Sequence, residues 1–397
     1  MIFSTLALFN PTLQAILSLY IFTPRLQMMF NLYKSMLLML SNKNLAIACS
    51  VLILLIQGCT FNSDNQFKVI PVDTESQSTI NLSDISDKVE VIKFETNDSC
   101  LISNPIYLKV TSKYVFVTDG MRRVLQFDRN GKFIRQIGHE GRGPQEYQYI
   151  GALACDTISQ KLYISCHKKI LCYSFDGSYI RTITLKKFVD FMTIVDDELW
   201  PVYSNFAIPI KDKFITEVNI LKLSKDGMVK DSVRIKTIKL DQSIFSSYPY
   251  VNYLSQCAKA TYLYCPVLLP EPITRDTLYT LKGDKLIPAV KLDFGKAALQ
   301  TGKKKNLLIK NIYRTDQHLF AEYRYNMKEK FFFYDLKNER NGSINDDVWG
   351  MGNTTLRPLD LKHNLMYFTK YGYELEGIID GVNENSNPVL MVVKMKS

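Results

Sequence analysis

One unit recurs along the chain: a β-rich run, a tight turn carrying Asn-Gly or Asp-Gly, and a second β-rich run. Its clearest copies are 124–137 (VLQFDRNGKFIRQI), 170–183 (ILCYSFDGSYIRTI) and 220–235 (ILKLSKDGMVKDSVRI). Asn-Gly and Asp-Gly suit the positive φ of two-residue hairpin turns, so Asn130-Gly131, Asp176-Gly177 and Asp226-Gly227 read as equivalent corners. Their glycines stand 46 and 50 residues apart. Fainter copies follow at 277–292, turning at Gly283-Asp284, and at 331–344. In the latter, Lys337-Asn338-Glu339-Arg340 replaces a clean glycine turn.

A period near fifty matches four-stranded propeller blades, whose repeats run roughly 40 to 50 residues. Residues 89–397, with almost no apolar pattern at helical spacing, hold about six such units. A single blade leaves both sheet faces bare, so blades must stack around an axis and the ring must close. Blades are expected at 104–137, 150–184, 189–236, 250–292, 308–345 and 355–396. The last run, 388–396 (PVLMVVKMK), has no successor, and 89–94 (VEVIKF) has no partner ahead of it. The two should pair antiparallel, removing two open edges. The expected fold is all-β, a six-bladed β-propeller over 85–397 with its N-terminal strand closing the last blade.

Composition excludes several classes. Apolar residues make up 46%, charged residues 22%, and 18 Gly and 14 Pro are spread through the chain, which rules out collagen-like and wholly disordered sequences. Lys and Arg number 49 against 39 Asp and Glu, a surplus of +10 that is too dilute for a nucleic-acid reader. No nucleic-acid partner is expected.

The first 58 residues carry Arg25, Lys34 and Lys43 but no Asp or Glu. Their apolar stretch, 45–56, is twelve residues long, short of the ~20 of a spanning helix but within the ~7 to 15 of a signal-peptide core. It ends at Ile56-Gln57-Gly58-Cys59, which resembles the lipobox of bacterial lipoproteins. Cys59 is therefore the expected lipidation site, and the membrane a partner through that anchor. Met28, Met29 and Met36 offer ordinary starts, so residues 1–58 are expected to be a signal peptide with a misassigned upstream extension. Residues 59–84 are polar and aperiodic, and are expected to form a lipidated flexible tether.

Between the first two blades lies 138–147 (GHEGRGPQEY). With the turn 128–132, the later 275–279 (RDTLY) and 292–296 (LDFGK), and the terminal 387–390 (NPVL), it resembles the six-bladed β-propeller lipoproteins of Bacteroidetes, related in pattern to NHL-repeat propellers. The resemblance implies an envelope lipoprotein, anchored in the outer membrane. It implies no reaction, substrate or catalytic residue.

A connection from one blade's outer strand to the next blade's inner strand crosses a ring face toward the central channel. His139, Glu140, Arg142, Glu146 and Tyr147 are accordingly ligand-binding candidates. Arg122 and His167, on hairpins expected to open on the same face, join them and give a basic rim suited to carboxylate or sulfate. Alternatively Gly141, Gly143 and Pro144 only shape the crossing, with Arg142 and Glu146 paired to each other.

His139, His167, His318 and His363 are scattered without metal-ligand spacing, so no metal is expected. The run 295–304 lacks the spacing of a phosphate loop, and no cofactor motif occurs. Of the cysteines beyond Cys59, Cys166 and Cys172 flank one hairpin and form the one candidate disulfide. The chain has 23 Tyr and 22 Phe, which serve sugar stacking or simply favour strands. The leading expectation is a noncatalytic ligand-binding or protein-interaction module facing a glycan, peptide or envelope protein. The alternative is a lyase or hydrolase acting at the channel mouth.

Overall fold

The structure, a computed structural model, describes residues 67–396 apart from 186, 225, 245–247, 267–270, 272 and 300–305. The expected signal peptide and Cys59 lie outside the described residues. Six sheets, each with an antiparallel blade at its centre, follow one another around a ring. Their innermost strands are Pro105–Val110, Ala152–Asp156, Val189–Val195, Leu254–Gln256, Leu307–Arg314 and Arg357–Asp360. The chain then steps outward through each sheet, ending for blades one to five at Phe133–Gln136, Tyr179–Thr184, Val229–Leu240, Lys285–Asp293 and Asn341–Asp346. The expected blade limits hold to within a few residues. Blades three and four depart most, the outer strand of blade three running on to Leu240 and the inner strand of blade four starting at Leu254.

Three N-terminal strands, β1 (Lys68–Pro71), β2 (Thr79–Asn81) and β3 (Ser86–Lys93), lie on blades four, five and six in turn. β3 closes the ring as expected. It pairs antiparallel with Val389–Met395, Lys93 opposite Val389 and Val89 opposite Val393. The seam is apolar. Ile92, Phe94 and Leu390 pack on Leu125 and Phe127 of blade one, and the Phe94 and Phe127 rings sit 4.7 Å apart. Each such buried side chain contributes roughly 1.5–3 kcal/mol, so closure rests on packing as well as on backbone hydrogen bonds.

The tether expectation is corrected over its described part. β1 adds parallel to the outer strand of blade four, Lys68 opposite Val290, and β2 adds parallel to that of blade five, Ile80 opposite Ile344. Ile70, Val72, Ile80, Leu82 and Ile85 are all buried. A few apolar residues in a polar run suffice here, because the outer strands already present open backbone groups to pair.

The three strong corners are equivalent, but each spans three residues instead of the expected two. Gly131 N–H donates to the Asp128 carbonyl and Asp128 N–H to that of Lys132; 174–178 and 224–228 repeat the pattern. Among the described residues of these turns only the glycines, at φ +83°, +88° and +83°, are left-handed. This is a type I turn followed by a glycine bulge, in which the preceding Asn or Asp keeps ordinary φ. At Gly131 a side chain is also excluded by space, since a Cβ would lie 1.9 Å from the Lys93 carbonyl oxygen of the closing strand. In blade five Glu339 takes the left-handed place at φ +59°, one residue later in a longer turn.

The candidate Cys166–Cys172 bridge is absent, and all six described cysteines are free thiols. Cys166 packs in the layer toward blade one with Phe116 and Val124; Cys172 packs toward blade three with Leu199 and Leu223. The two thiols occupy opposite faces of one sheet.

Candidate functional site

The crossing 138–147 folds back on itself. Tyr147 N–H donates to the His139 carbonyl at 3.1 Å, Gly141 N–H to that of Tyr147 at 3.0 Å, and Gly143 N–H to Glu146 Oε2 at 2.8 Å. The Glu146 carboxylate lies so close over Gly141 that a Cβ there would meet it at 2.0 Å. Lys169 reaches across from blade two, its Nζ donating to the Glu146 carbonyl at 2.7 Å.

Tyr147 is corrected as a ligand-lining residue. It is fully buried, donates its hydroxyl to the Ile137 carbonyl at 2.8 Å and accepts from Val124 N–H at 3.3 Å. Glu146 is engaged with Gly143 rather than Arg142. His139, Glu140 and Arg142 are exposed, and Glu140 pairs with Arg122 at 3.4 Å in a solvated ion pair of little energetic weight. His167, at φ +52°, lays its ring edge-on to Tyr149, 4.6 Å away. The structure thus brings Arg122 and Glu140 together and seats Lys169 beneath the loop, whose polar groups are largely satisfied internally.

The innermost strands frame a second, different site. They enclose about 540 Å³ of space, partly open to solvent, between blades one, two, three and six and the segment that leads into blade four. Ionisable side chains in its lining are Lys109, Asp190 and Arg357. Tyr107, Tyr250 and Tyr367 supply rings. Each charged residue interrupts an apolar run: Lys109 between Leu108 and Val110, Asp190 between Val189 and Phe191, Arg357 after Leu356. All three lie on innermost strands, beside the axis, and line the cavity there.

Arg357 stacks on Tyr250, guanidinium carbon to ring centre 3.9 Å, a favourable cation–π arrangement. Its Nε lies 4.0 Å from Glu322 Oε1, too long for a hydrogen bond, and has no partner. Glu322, itself buried, accepts from the Tyr248 hydroxyl at 2.8 Å and lies 3.3 Å from that of Tyr313. Burial works against the Arg357 charge, but Glu322 and the surrounding tyrosines outweigh it and raise its pKa. Asp190 is pushed up to about 6 by burial, and its Oδ2 is buried without a hydrogen-bond partner. Burial likewise lowers the pKa of Lys109. Near the rim, Tyr371 and Tyr373 stack at 5.7 Å and 7° on the long hairpin of blade six, both exposed. In the sequence these residues are marked only by a single charge interrupting each apolar strand, a weaker signal than the glycine-rich loop.

Among the described residues no three His, Cys, Asp or Glu side chains converge as a metal would need. No described helix is long and apolar enough to cross a membrane.

Ring, closing strand and axial cavity define a six-bladed β-propeller. The chain belongs to the family described as Domain of unknown function (DUF4934), which matches residues 67–394. Among solved structures it is similar to a Bacteroides fragilis protein described as exported, with 16% identity, 84% of this chain and 100% of that chain covered, and a TM-score of 0.57. It also matches BamB of Moraxella catarrhalis (10% identity, 77% and 100% covered, TM-score 0.42) and the hydrazine synthase of Kuenenia stuttgartiensis (8%, 68% and 75%, 0.42). No curated protein matches the sequence.

Proposed function

We propose that this chain is a lipid-anchored envelope protein whose propeller is a noncatalytic binding module, with the ligand held at the axial cavity. The observation that carries the binding reading is the cavity itself: open, ringed by tyrosines, and lined by charged groups whose hydrogen-bonding capacity the protein leaves unused. Fold likeness to an exported Bacteroides protein and the lipobox-like Ile56-Gln57-Gly58-Cys59 support envelope placement, with Cys59 acylated and the outer membrane as its site.

A thermal-shift screen of the purified protein against glycans, peptides and small anions tests the binding reading, since a ligand selective for the folded state raises Tm. A shift that Tyr250→Ala removes is expected; a shift that survives this substitution places binding elsewhere. Metabolic labelling with a fatty acid, lost in Cys59→Ser, tests the anchor.

A further inference from the structure

Resting on that binding reading, we infer that the axial cavity recognises a sugar acid, a hydroxylated ring carrying a carboxylate. Its lining holds three polar groups with unused capacity. Arg357 Nε is a donor with no acceptor and Asp190 Oδ2 an acceptor with no donor, both buried. The Lys109 ammonium, also in the lining, makes no hydrogen bond or ion pair among the described residues. An unsatisfied buried polar group costs about 1–3 kcal/mol, and native structures carry few of them without a reason. Two such atoms and an unpaired ammonium around one opening define what must enter it.

The two cations call for an anionic acceptor, and a planar guanidinium favours a carboxylate. Asp190 calls for a donor on the same molecule. The tyrosine rings call for an apolar face, which a pyranose presents on its C–H side. A neutral hexose offers the donor and the face but no anion. A plain ring carboxylate offers the anion and the face but no donor. A hexuronate offers all three. Glu322 stays within ion-pair range of Arg357, but at 4.0 Å it is too far to accept a hydrogen bond from Nε, whose N–H stays open to a ligand.

Calorimetric titration of the purified protein with D-glucuronate, D-galacturonate, D-glucose and cyclohexanecarboxylate tests this inference. At least one uronate should bind about tenfold or more tightly than both glucose and cyclohexanecarboxylate, and Lys109→Met should weaken the uronate by about tenfold while leaving glucose unchanged. Lys109 has no protein partner to orphan, so this variant should fold normally; Arg357→Lys serves as the second probe. Equal binding of glucose and uronate, or uronate binding unaffected by Lys109→Met, overturns the inference. So does a titration in which neither uronate binds. If a neutral glycan or peptide then still shifts Tm in a Tyr250-dependent way, the binding reading survives and only the sugar-acid assignment falls.

Discussion

The crossing 138–147 and the axial cavity are both polar, both on one molecule, and opposite in how they use their polar groups. In the crossing, Glu146, Tyr147 and Lys169 give their hydrogen bonds to the loop's own backbone and its neighbours. In the cavity, Arg357 and Asp190 keep buried atoms unpartnered. A surface rich in His, Arg and Glu can be architecture, whereas a few charged residues on innermost strands form the site with capacity to spare. Polarity alone does not mark a binding site; unsatisfied polarity does.

If this contrast is right, substitutions of the packed residues of the crossing should cost stability and those in the cavity should not. The largest effect is expected at Tyr147. Tyr147→Ala empties a fully buried position and removes the hydroxyl that bonds Ile137, so chemical denaturation should show a loss of about 3–5 kcal/mol. Next is Gly141→Ala, whose Cβ would meet the Glu146 carboxylate at 2.0 Å and must swing it off the Gly143 N–H; about 1–2 kcal/mol should be lost. Glu146→Ala should cost about as much, and adding Gly141→Ala to it should cost little more; a full further loss would mean that Glu146 is not the cause.

Asp190→Asn should move the other way. An ordinary aspartate has a pKa near 3.9, and this one sits at about 6 in the fold. Between those values the folded protein holds a proton that the unfolded chain releases, so this group's contribution to stability falls as pH rises through 4 to 6 and the penalty is complete above 6. The amide removes the penalty. Asp190→Asn should therefore gain about 1–2 kcal/mol at pH 7 and little at pH 4, read as the Tm difference between variants across pH. A variant that is destabilised at pH 7 would assign Asp190 a structural role. The smallest effect is expected at exposed Arg142, where Arg142→Ala should leave stability within about 0.5 kcal/mol.

How much could be read from the chain depended on the range of the interactions involved. Gly131, Gly177 and Gly227 announce their corners because positive φ is a local demand, and their spacing carries the blade count. The hairpin type is less legible: Asn-Gly and Asp-Gly serve two-residue and bulged turns alike, and the flanking register decides between them. β1 and β2 were hidden because each pairs in parallel with a strand more than 200 residues away and contains only three or four residues. The Cys166–Cys172 expectation failed on parity, since six residues across this hairpin put the thiols on opposite faces.

By itself the sequence determined an all-β ring of six units and the clasp of 89–94 on 388–396, because hairpin corners and alternating apolar strands are set within a few residues and a blade cannot stand alone. Only the tertiary structure decided where chemistry resides. Lys109, Asp190 and Arg357 come from blades one, three and six, far apart in the chain. Their shared cavity, their burial and the lack of hydrogen-bond partners for Arg357 Nε and Asp190 Oδ2 exist only once the ring has closed and brought these strands together.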